Sequence, residues 1–149
     1  MTNATPLALI QAARDATGFA HAPYSGFGVG AALLLADGQI ITGSNLENAS
    51  YGMTLCAEAA ALAAANNIGK LAEVREIAVV GGRISAGIAR GTAPVHPCGR
   101  CRQMLKEASD LAGHDIVVHC AAPEGGATER FTLSTLLPYG FGPADLARD

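Results

Sequence analysis

Two short cysteine-containing segments constrain this chain more than any other feature of its sequence. The first is Thr54-Leu55-Cys56-Ala57-Glu58, and the second, further along the chain, is Pro97-Cys98-Gly99-Arg100-Cys101-Arg102. Thiolates are strong ligands of zinc. Three of them leave one position of a tetrahedral site open, whereas a purely structural zinc site usually has four protein ligands. The fold must therefore bring Cys56, Cys98 and Cys101 together if they are to form a zinc site with one open position.

A carboxylate accompanies the first of these cysteines. Glu58 lies two residues after Cys56, in a segment with no other charged side chain. An open position on zinc can hold water, and zinc makes that water acidic near neutral pH. A carboxylate that is not itself a ligand can take the proton and pass it on. We therefore predict that Glu58 is catalytic, against the alternative of a solvated carboxylate on a helix.

Both segments have the pattern of a helix N-terminus. The two cysteines of the second segment are three positions apart and share one helix face, and Pro97 suits the first turn. In the first segment, Cys56 and Glu58 stand where an alanine-rich run, residues 59–65, begins. Free N–H groups and the helix dipole at such an end favour thiolate over thiol. We predict that two helix ends point at the metal.

Length and charge narrow the class of protein. The 149 residues carry a formal net charge of −3, so the protein lacks the excess of positive charge that binds the phosphate backbone of a nucleic acid. Aromatic residues make up only 5% of the chain and are not interleaved with Arg or Lys, as a stacking platform for single strands requires. We expect no nucleic-acid partner, and a single domain over residues 1–149.

The N-terminal residues predict a cytoplasmic protein. Residues 1–6 lack a positive n-region, and no run approaches the roughly 18 apolar residues of a membrane span. We expect no membrane partner. In a reducing compartment, the four cysteines are metal ligands or buried thiols rather than disulfides. Cys120 is left over from the zinc site and is expected in the core.

Hydrophobic periodicity predicts the helices and loops. Leu7, Ile10, Ala13 and Phe19 at helical spacing predict a first helix over residues 6–20. The two cysteine segments should begin helices over residues 55–67 and 98–112. Residues 83–96 contain Gly and Pro and are predicted to form a long loop.

The pattern also predicts five strands. They cover residues 29–36, 39–46, 76–81, 115–120 and 129–133. Asp37-Gly38, between the first two, is typical of a type I′ hairpin turn. The connection between the last two, residues 121–128, is too short for a parallel crossover, so the fifth strand should run antiparallel to the fourth. The fold class predicted is α/β, a three-layer α/β/α sandwich with a mixed five-stranded sheet.

The two cysteine segments resemble a known signature. Cys-Ala-Glu followed by Pro-Cys-x-x-Cys is similar to the motif of the zinc nucleoside and nucleobase deaminases. Four further segments resemble the small homotetrameric cytidine deaminases, over about residues 20–146: Ala22 to Phe27, Asn45 to Gly52, Leu136-Leu137-Pro138, and Phe141.

The resemblance implies a zinc-dependent enzyme with one Zn²⁺ per subunit. It implies hydrolytic deamination of cytidine and 2′-deoxycytidine to the uridines, with release of ammonia, as in pyrimidine salvage. It also implies a cytidine deaminase-like fold and a homotetramer with active sites at the subunit interfaces. The small-molecule partner is then a free nucleoside.

The resemblance further implies roles for individual residues. Phe27 would stack on the base, Asn45 and Glu47 would bind the ribose hydroxyls, and the Ala57 N–H would lie near the base edge. Tyr51 and Phe141 would reach a neighbouring subunit's site.

Structural alternatives stand beside these roles. Asn45 and Glu47 are alternatively caps of loop backbone, and the aromatic residues are alternatively core. Arg102, beside Cys101, is expected to hydrogen-bond a thiolate and screen the site, with a plain surface cation as the alternative. His96 is expected to be a loop residue, with a fourth ligand as the alternative.

The chain departs from the family pattern in one place. Ala59 follows Glu58, where many members have an Arg that helps to neutralise the thiolates. The missing charge is expected to raise the pKa of zinc-bound water or to open space near the leaving group.

Two other functions are compatible with the sequence. One is a deaminase of a modified cytosine nucleoside, such as an N4-substituted cytidine or blasticidin S, whose enzymes share the sequence of residues 97–103. The other is a non-catalytic binding module stabilised by zinc.

Overall fold

The computed structural model describes residues 5–147. The helices are α1 (Pro6–Ala16), α2 (Ala57–Asn67), α3 (Gly99–Ala112), α4 (Leu133–Leu136) and α5 (Pro143–Leu146). The strands are β1 (Phe27–Leu35), β2 (Ile40–Ser44), β3 (Val74–Ser85), β4 (Ile88–Arg90), β5 (Val117–Ala121) and β6 (Thr128–Thr132). Short 3-10 helices cover Thr17–Phe19, Tyr51–Met53 and Leu71–Glu73. In this part of the chain, none of the helices has the length and apolarity needed to cross a bilayer.

The strands form one mixed sheet in the order β2-β1-β3-β5-β6, with β4 paired to β3 beside this path. The β3–β5 pair is parallel, and the α3 crossover joins its two strands. The other pairs are antiparallel. The predicted antiparallel arrangement of the last two strands is confirmed, because the six-residue connection between Ala121 and Thr128 cannot hold a crossover.

Helices cover both faces of the sheet. Along β1 and β3, successive side chains alternate between the faces. Ala32 and Ala78 join the apolar cluster formed with α1, whereas Leu33 and Ile77 join the cluster formed with α2 and α3. The predicted three layers are therefore α1, the sheet, and α2 with α3, and one buried cluster lies on each face of the sheet.

Strand glycines let the helices lie close to the sheet. A Cβ at Gly43 on β2 would lie 2.4 Å from the Ala57 carbonyl oxygen and 2.5 Å from the Ala61 nitrogen, both in α2. A Cβ at Gly30 on β1 would lie 2.0 Å from the Ala13 carbonyl oxygen in α1. Only glycine fits at these distances, so the start of α2 lies directly against β2.

The β1–β2 turn differs from the predicted type I′ turn. Such a turn needs positive φ at two consecutive residues, and here Gly38 has a φ of 87° whereas Asp37 is not among the described residues with positive φ. The Gly38 N–H donates to the Leu35 carbonyl at 2.9 Å, which gives a three-residue turn ending in glycine. Asp37 accepts a hydrogen bond from the Gln39 N–H at 2.9 Å and pairs with Lys70, and these contacts favour the observed turn.

The first half of the predicted loop 83–96 is a hairpin instead. β3 continues to Ser85, and a two-residue turn leads into β4. Ala86 and Gly87 both have positive φ, 52° and 75°, as a type I′ turn requires. Ala-Gly is a weak turn signal beside Asn-Gly or Asp-Gly, so the pattern missed this sixth strand.

The first helix is shorter than predicted. It ends at Ala16, where the 3-10 turn follows, and Ile10 and Ala13 are buried as expected. Leu7 and Phe19, which were part of the apolar pattern that predicted the helix, are 78% and 83% exposed and do not pack in the core.

Candidate active site and metal centre

Three sulfur atoms meet between the N-termini of two helices. Cys56 is the N-cap of α2, Cys98 is the N-cap of α3, and Cys101 lies in the first turn of α3. Pro97 therefore precedes the N-cap. The prediction that it lies in the first turn of the helix was wrong. The three Sγ atoms lie within 4.8 Å of one another, and the Cys56–Cys98 separation is 3.8 Å.

These separations fit a zinc site. Tetrahedral zinc with Zn–S bonds of about 2.3 Å places its sulfurs about 3.8 Å apart. Among the described residues, the group consists of Cys56, Cys98 and Cys101, with no fourth His, Cys, Asp or Glu within the same distance. The donor set therefore suits a soft, tetrahedral metal, with one position left for a non-protein ligand.

The thiols differ in acidity. Burial raises the pKa of Cys56 and Cys101. Burial acts in the same direction on Cys98, but hydrogen bonds from the Cys101 N–H and from the other two thiols outweigh it and lower the pKa of Cys98. Because zinc binds thiolates, binding must displace the protons that Cys56 and Cys101 hold.

Glu58 is buried beside these sulfurs. It lies in the first turn of α2 with only 4% of its surface exposed. Burial raises the pKa of Glu58, and a hydrogen bond with the Cys101 side chain opposes this in part. A raised pKa makes the carboxylate a better proton acceptor, which favours its use as a general base that later returns the proton as a general acid.

A cavity of about 160 Å³ opens beside Glu58. Five predicted site residues line it: Phe27, Cys56, Ala57, Glu58 and Cys98. Four further lining residues were not predicted to lie at the site: Val29, Val79, Val95 and His96. The missed residues come from β1, β3 and the loop before Cys98, and their only sequence signal is proximity to the motif or a place in a predicted strand. The structure thus brings Phe27, Ala57 and Glu58 to one cavity with two of the cysteines.

Asn45 connects the end of β2 to the start of β1. Its Oδ1 accepts from the Val29 N–H at 2.8 Å, and its Nδ2 donates to the Phe27 carbonyl at 2.9 Å. The side chain thereby continues the β1–β2 pairing beyond Ser44 and holds the backbone of Phe27, whose residue lines the cavity.

Glu47 organises the loop before β1. Its Oε2 accepts from the Tyr24 N–H at 2.9 Å and the Ser25 N–H at 3.2 Å. A hydrogen bond from the Ser25 hydroxyl and then these N–H groups lower the pKa of Glu47. The same three residues, with Tyr51 and Thr54, line a second hollow of about 320 Å³.

Two larger hollows, of about 500 and 790 Å³, lie along α3 and residues 133–145. Neither is lined by Glu58 or by a cysteine of the sulfur group. Volume therefore does not locate the reactive site in this molecule, and we assign it to the smaller cavity that contains the carboxyl group and the sulfurs.

Comparison with known proteins identifies the family. Residues 5–119 match the model of the cytidine and deoxycytidylate deaminase zinc-binding region. The chain belongs to this deaminase family. The family's zinc-binding region and the three-sulfur group together identify the cofactor as zinc.

Individual relatives resemble this deaminase over nearly all of its length. The cytidine deaminase of Halalkalibacterium halodurans is 44% identical over 93% of this chain and 95% of its own. That of Mycobacterium tuberculosis strain H37Rv is 40% identical over 92% of this chain and 90% of its own. The crystal structure of cytidine deaminase from Burkholderia pseudomallei superposes with a TM-score of 0.79, at 40% identity, and covers 92% of this chain and 99% of that one. The predicted fold class is confirmed.

Arg102 of the deaminase has other partners than predicted. Its Nε donates to the Pro97 carbonyl and its Nη1 to the Leu136 carbonyl, both at 2.8 Å. Its hydrogen bonds among the described residues thus go to carbonyl oxygens, where a thiolate had been predicted. Arg102 supports the turn that presents Cys98 and ties it to the C-terminal segment.

Two further residues near the motif have structural partners. His96 is hydrogen-bonded to Glu129 at 2.7 Å and is not in the sulfur group. Cys120 is fully buried on β5, and burial raises its pKa to about 12. The prediction that Cys120 is a core thiol is confirmed.

The two aromatic residues predicted to reach a neighbouring subunit lie on the surface. Tyr51 is 73% exposed and Phe141 is 56% exposed. Tyr51 packs edge-on against Tyr24, and the carbonyl of Phe141 accepts from Gln103 Nε2 at 2.8 Å. Neither residue lines the cavity that contains Glu58.

Proposed function

We propose that this protein catalyses the zinc-dependent hydrolytic deamination of cytidine and 2′-deoxycytidine. The observation that carries the proposal is the position of Glu58. This buried carboxyl group lines the same cavity as Cys56 and Cys98, which belong to the group of three sulfurs. The membership of the deaminase family, and relatives that are named cytidine deaminase, support it. The reaction adds water to C4, breaks the C4–N4 bond, and yields a uridine and ammonia.

The chain's own residues account for the proton transfers. Zinc, when bound, supplies a Lewis acid that makes water nucleophilic near neutral pH. Glu58 takes up a proton released from water, because burial raises its pKa. It then gives this proton to ring N3, takes up the second proton of the water from the hydroxyl group on C4, and passes that proton to the departing amine. We propose Cys56, Cys98 and Cys101 as the metal ligands and Arg102 as support for the loop before them.

The cavity suits an uncharged pyrimidine. Phe27, Val29, Val79 and Val95 provide apolar walls, with Glu58 as the polar group at one side. We propose that Phe27 stacks on the base, and that the Ala57 N–H, at the first position of α2, bonds the base edge.

We propose that Asn45 and Glu47 bind the ribose hydroxyls. The two backbone N–H bonds to Glu47 both go to Oε2, and a carboxylate has about four acceptor positions, so Glu47 can accept further hydrogen bonds. Asn45 Nδ2 has a second hydrogen beside the one it gives to Phe27. Both side chains can therefore support the backbone and contact a ligand at the same time.

We also propose that the chain forms one domain and acts in the cytoplasm as a homotetramer with Tyr51 and Phe141 at shared sites. Large exposed apolar side chains favour burial in an assembly: Phe19, Tyr51, Met53 and Phe141 are each more than half exposed. Sedimentation velocity tests the assembly. A mass of four subunits is expected, and a monomer with full activity would contradict the shared site.

A direct assay tests the activity. Purified, zinc-loaded protein is incubated with cytidine, 2′-deoxycytidine, N4-methylcytidine and blasticidin S, and the ultraviolet absorbance change is followed together with release of ammonia or, from N4-methylcytidine, of methylamine. Fast turnover of the first two is expected. Turnover of only N4-methylcytidine or blasticidin S would favour a modified nucleoside as substrate, and no turnover of any of the four would favour a zinc-stabilised binding module.

A further inference from the structure

A histidine–glutamate pair borders the cavity through its histidine and has no part in the proton transfers above. His96 Nε2 lies 2.7 Å from Oε2 of Glu129 on β6. The His96 ring also packs edge-on against Phe131, with ring centroids 5.5 Å apart. Because His96 lines the cavity that contains Glu58, these two contacts fix the position of a wall of the site.

The pair lies across the sheet from the proposed ribose contacts. Asn45 and Glu47 follow β2, at one edge of the sheet, whereas Glu129 lies on β6, at the other edge. Phe27 and Val79 line the cavity from β1 and β3, which lie between these edges. The direction from Glu47 to His96 therefore runs across the site, from the β2 side to the β6 side.

The reaction determines how a cytosine base must lie along this direction. The sugar-bearing N1 and the amino-bearing C4 are at opposite ends of the pyrimidine ring. Deamination requires C4 beside the sulfur group and Glu58. With the ribose towards Asn45 and Glu47, the amino group projects away from β2, which is the side where His96 lies.

We infer that His96, held by Glu129, is the wall that meets the 4-amino group and limits the substituents it can carry. His96 is then a specificity-determining residue, and Glu129 is a positioning residue that acts through it. The inference rests on the proposed function and names the feature of the substrate that this end of the site selects. The effect is steric. One methyl group against a cavity wall typically changes the ratio of kcat/KM between two substrates by about 10-fold to 200-fold.

The test compares kcat/KM for N4-methylcytidine with kcat/KM for cytidine. His96→Ala and Glu129→Ala are each expected to raise this ratio about tenfold. The double variant should raise it no further than His96→Ala, because Glu129 acts only through His96. Glu129→Gln keeps a hydrogen-bond acceptor for His96, so this variant should have the same ratio as the wild type.

Arg130→Ala is the matched control. Arg130 is next to Glu129 on β6 and pairs in register with His119, so its side chain lies on the opposite face of the strand. Its ratio should equal that of the wild type. If His96→Ala does not fold, His96→Asn tests the same wall with a smaller polar side chain.

A second measurement separates this inference from the proposed function. In a Glu58→Gln background, dissociation constants for cytidine and N4-methylcytidine report the wall without chemistry. Adding His96→Ala should favour N4-methylcytidine by about tenfold. An unchanged binding ratio in folded, zinc-containing protein would overturn the inference, whereas absent cytidine turnover by the wild type with a shifted binding ratio would overturn only the proposed reaction.

Discussion

The Sγ atoms of Cys56 and Cys98 lie 3.8 Å apart, although 42 positions separate the two residues in the chain. Each residue is a helix N-cap, and neither side chain makes a capping hydrogen bond to its helix. Both thiols therefore remain available as ligands. The free N–H groups of two helix ends, at α2 and α3, offset part of the negative charge that a three-thiolate site gathers.

Replacing Glu58 with Gln should remove activity and leave the metal. The amide keeps the size of the side chain but cannot accept and return a proton, so kcat should fall by about three orders of magnitude. Steady-state kinetics and zinc content by atomic emission check this. A variant with near-normal kcat would show that another group moves the proton.

Replacing Cys101 with Ala should release zinc. The variant loses one of the three proposed ligands, and metal binding contributes to folding, so both zinc content and the unfolding temperature should fall. Cys120→Ala is the control, because Cys120 is equally buried but outside the sulfur group. It should keep zinc and lose about 1 kcal/mol of unfolding free energy from the small cavity. Equal zinc content in the two variants would refute the ligand assignment.

Replacing Gly43 with Ala should displace the helix that carries Glu58. The added Cβ would lie 2.4 Å from the Ala57 carbonyl oxygen, so α2 must move away from β2. We expect a loss of about 2 kcal/mol in unfolding free energy, together with reduced kcat. Gly52→Ala is the control, since a Cβ there meets nothing within 4 Å. Denaturant unfolding measures both variants, and equal stability would contradict the close packing.

Zinc affinity should rise with pH. Burial raises the pKa of Cys56 and Cys101 in the metal-free protein, so these thiols hold protons that zinc must displace. Lowering the pH favours the thiols and weakens binding, and raising it favours the thiolates. Competition with a chromogenic chelator between about pH 6 and about pH 8 measures the slope. A flat affinity would mean that the sulfurs are already ionised before zinc binds.

Local rules predicted the parts of this molecule that depend on few residues. The spacing of Cys98 and Cys101, and the alanine run after Cys56, placed two helix starts within one or two residues of those observed. The short connection before β6 settled the strand direction, because the chain cannot cross a sheet in so few residues.

Other features depend on partners that are distant in the chain. The contact of Asp37 with Lys70 accompanies a turn type that the Asp-Gly dipeptide alone does not predict. Arg102 bonds Leu136, which is 34 positions away, and His96 bonds Glu129, which is 33 positions away. Local patterns carry no information about such pairs, so the sequence reasoning assigned Arg102 to a thiolate and left His96 as a loop residue.

Residue type and spacing alone predict the zinc ligands and the carboxyl group beside them, because few side chains can bind zinc or transfer a proton and two short segments contain all four of these residues. The sequence pattern does not predict that Phe27, Val79 and His96 line one cavity with Glu58, which is a property of the folded chain. These residues come from separate strands and loops, and their meeting depends on the order of strands in the sheet and on glycines such as Gly43 that let α2 approach it.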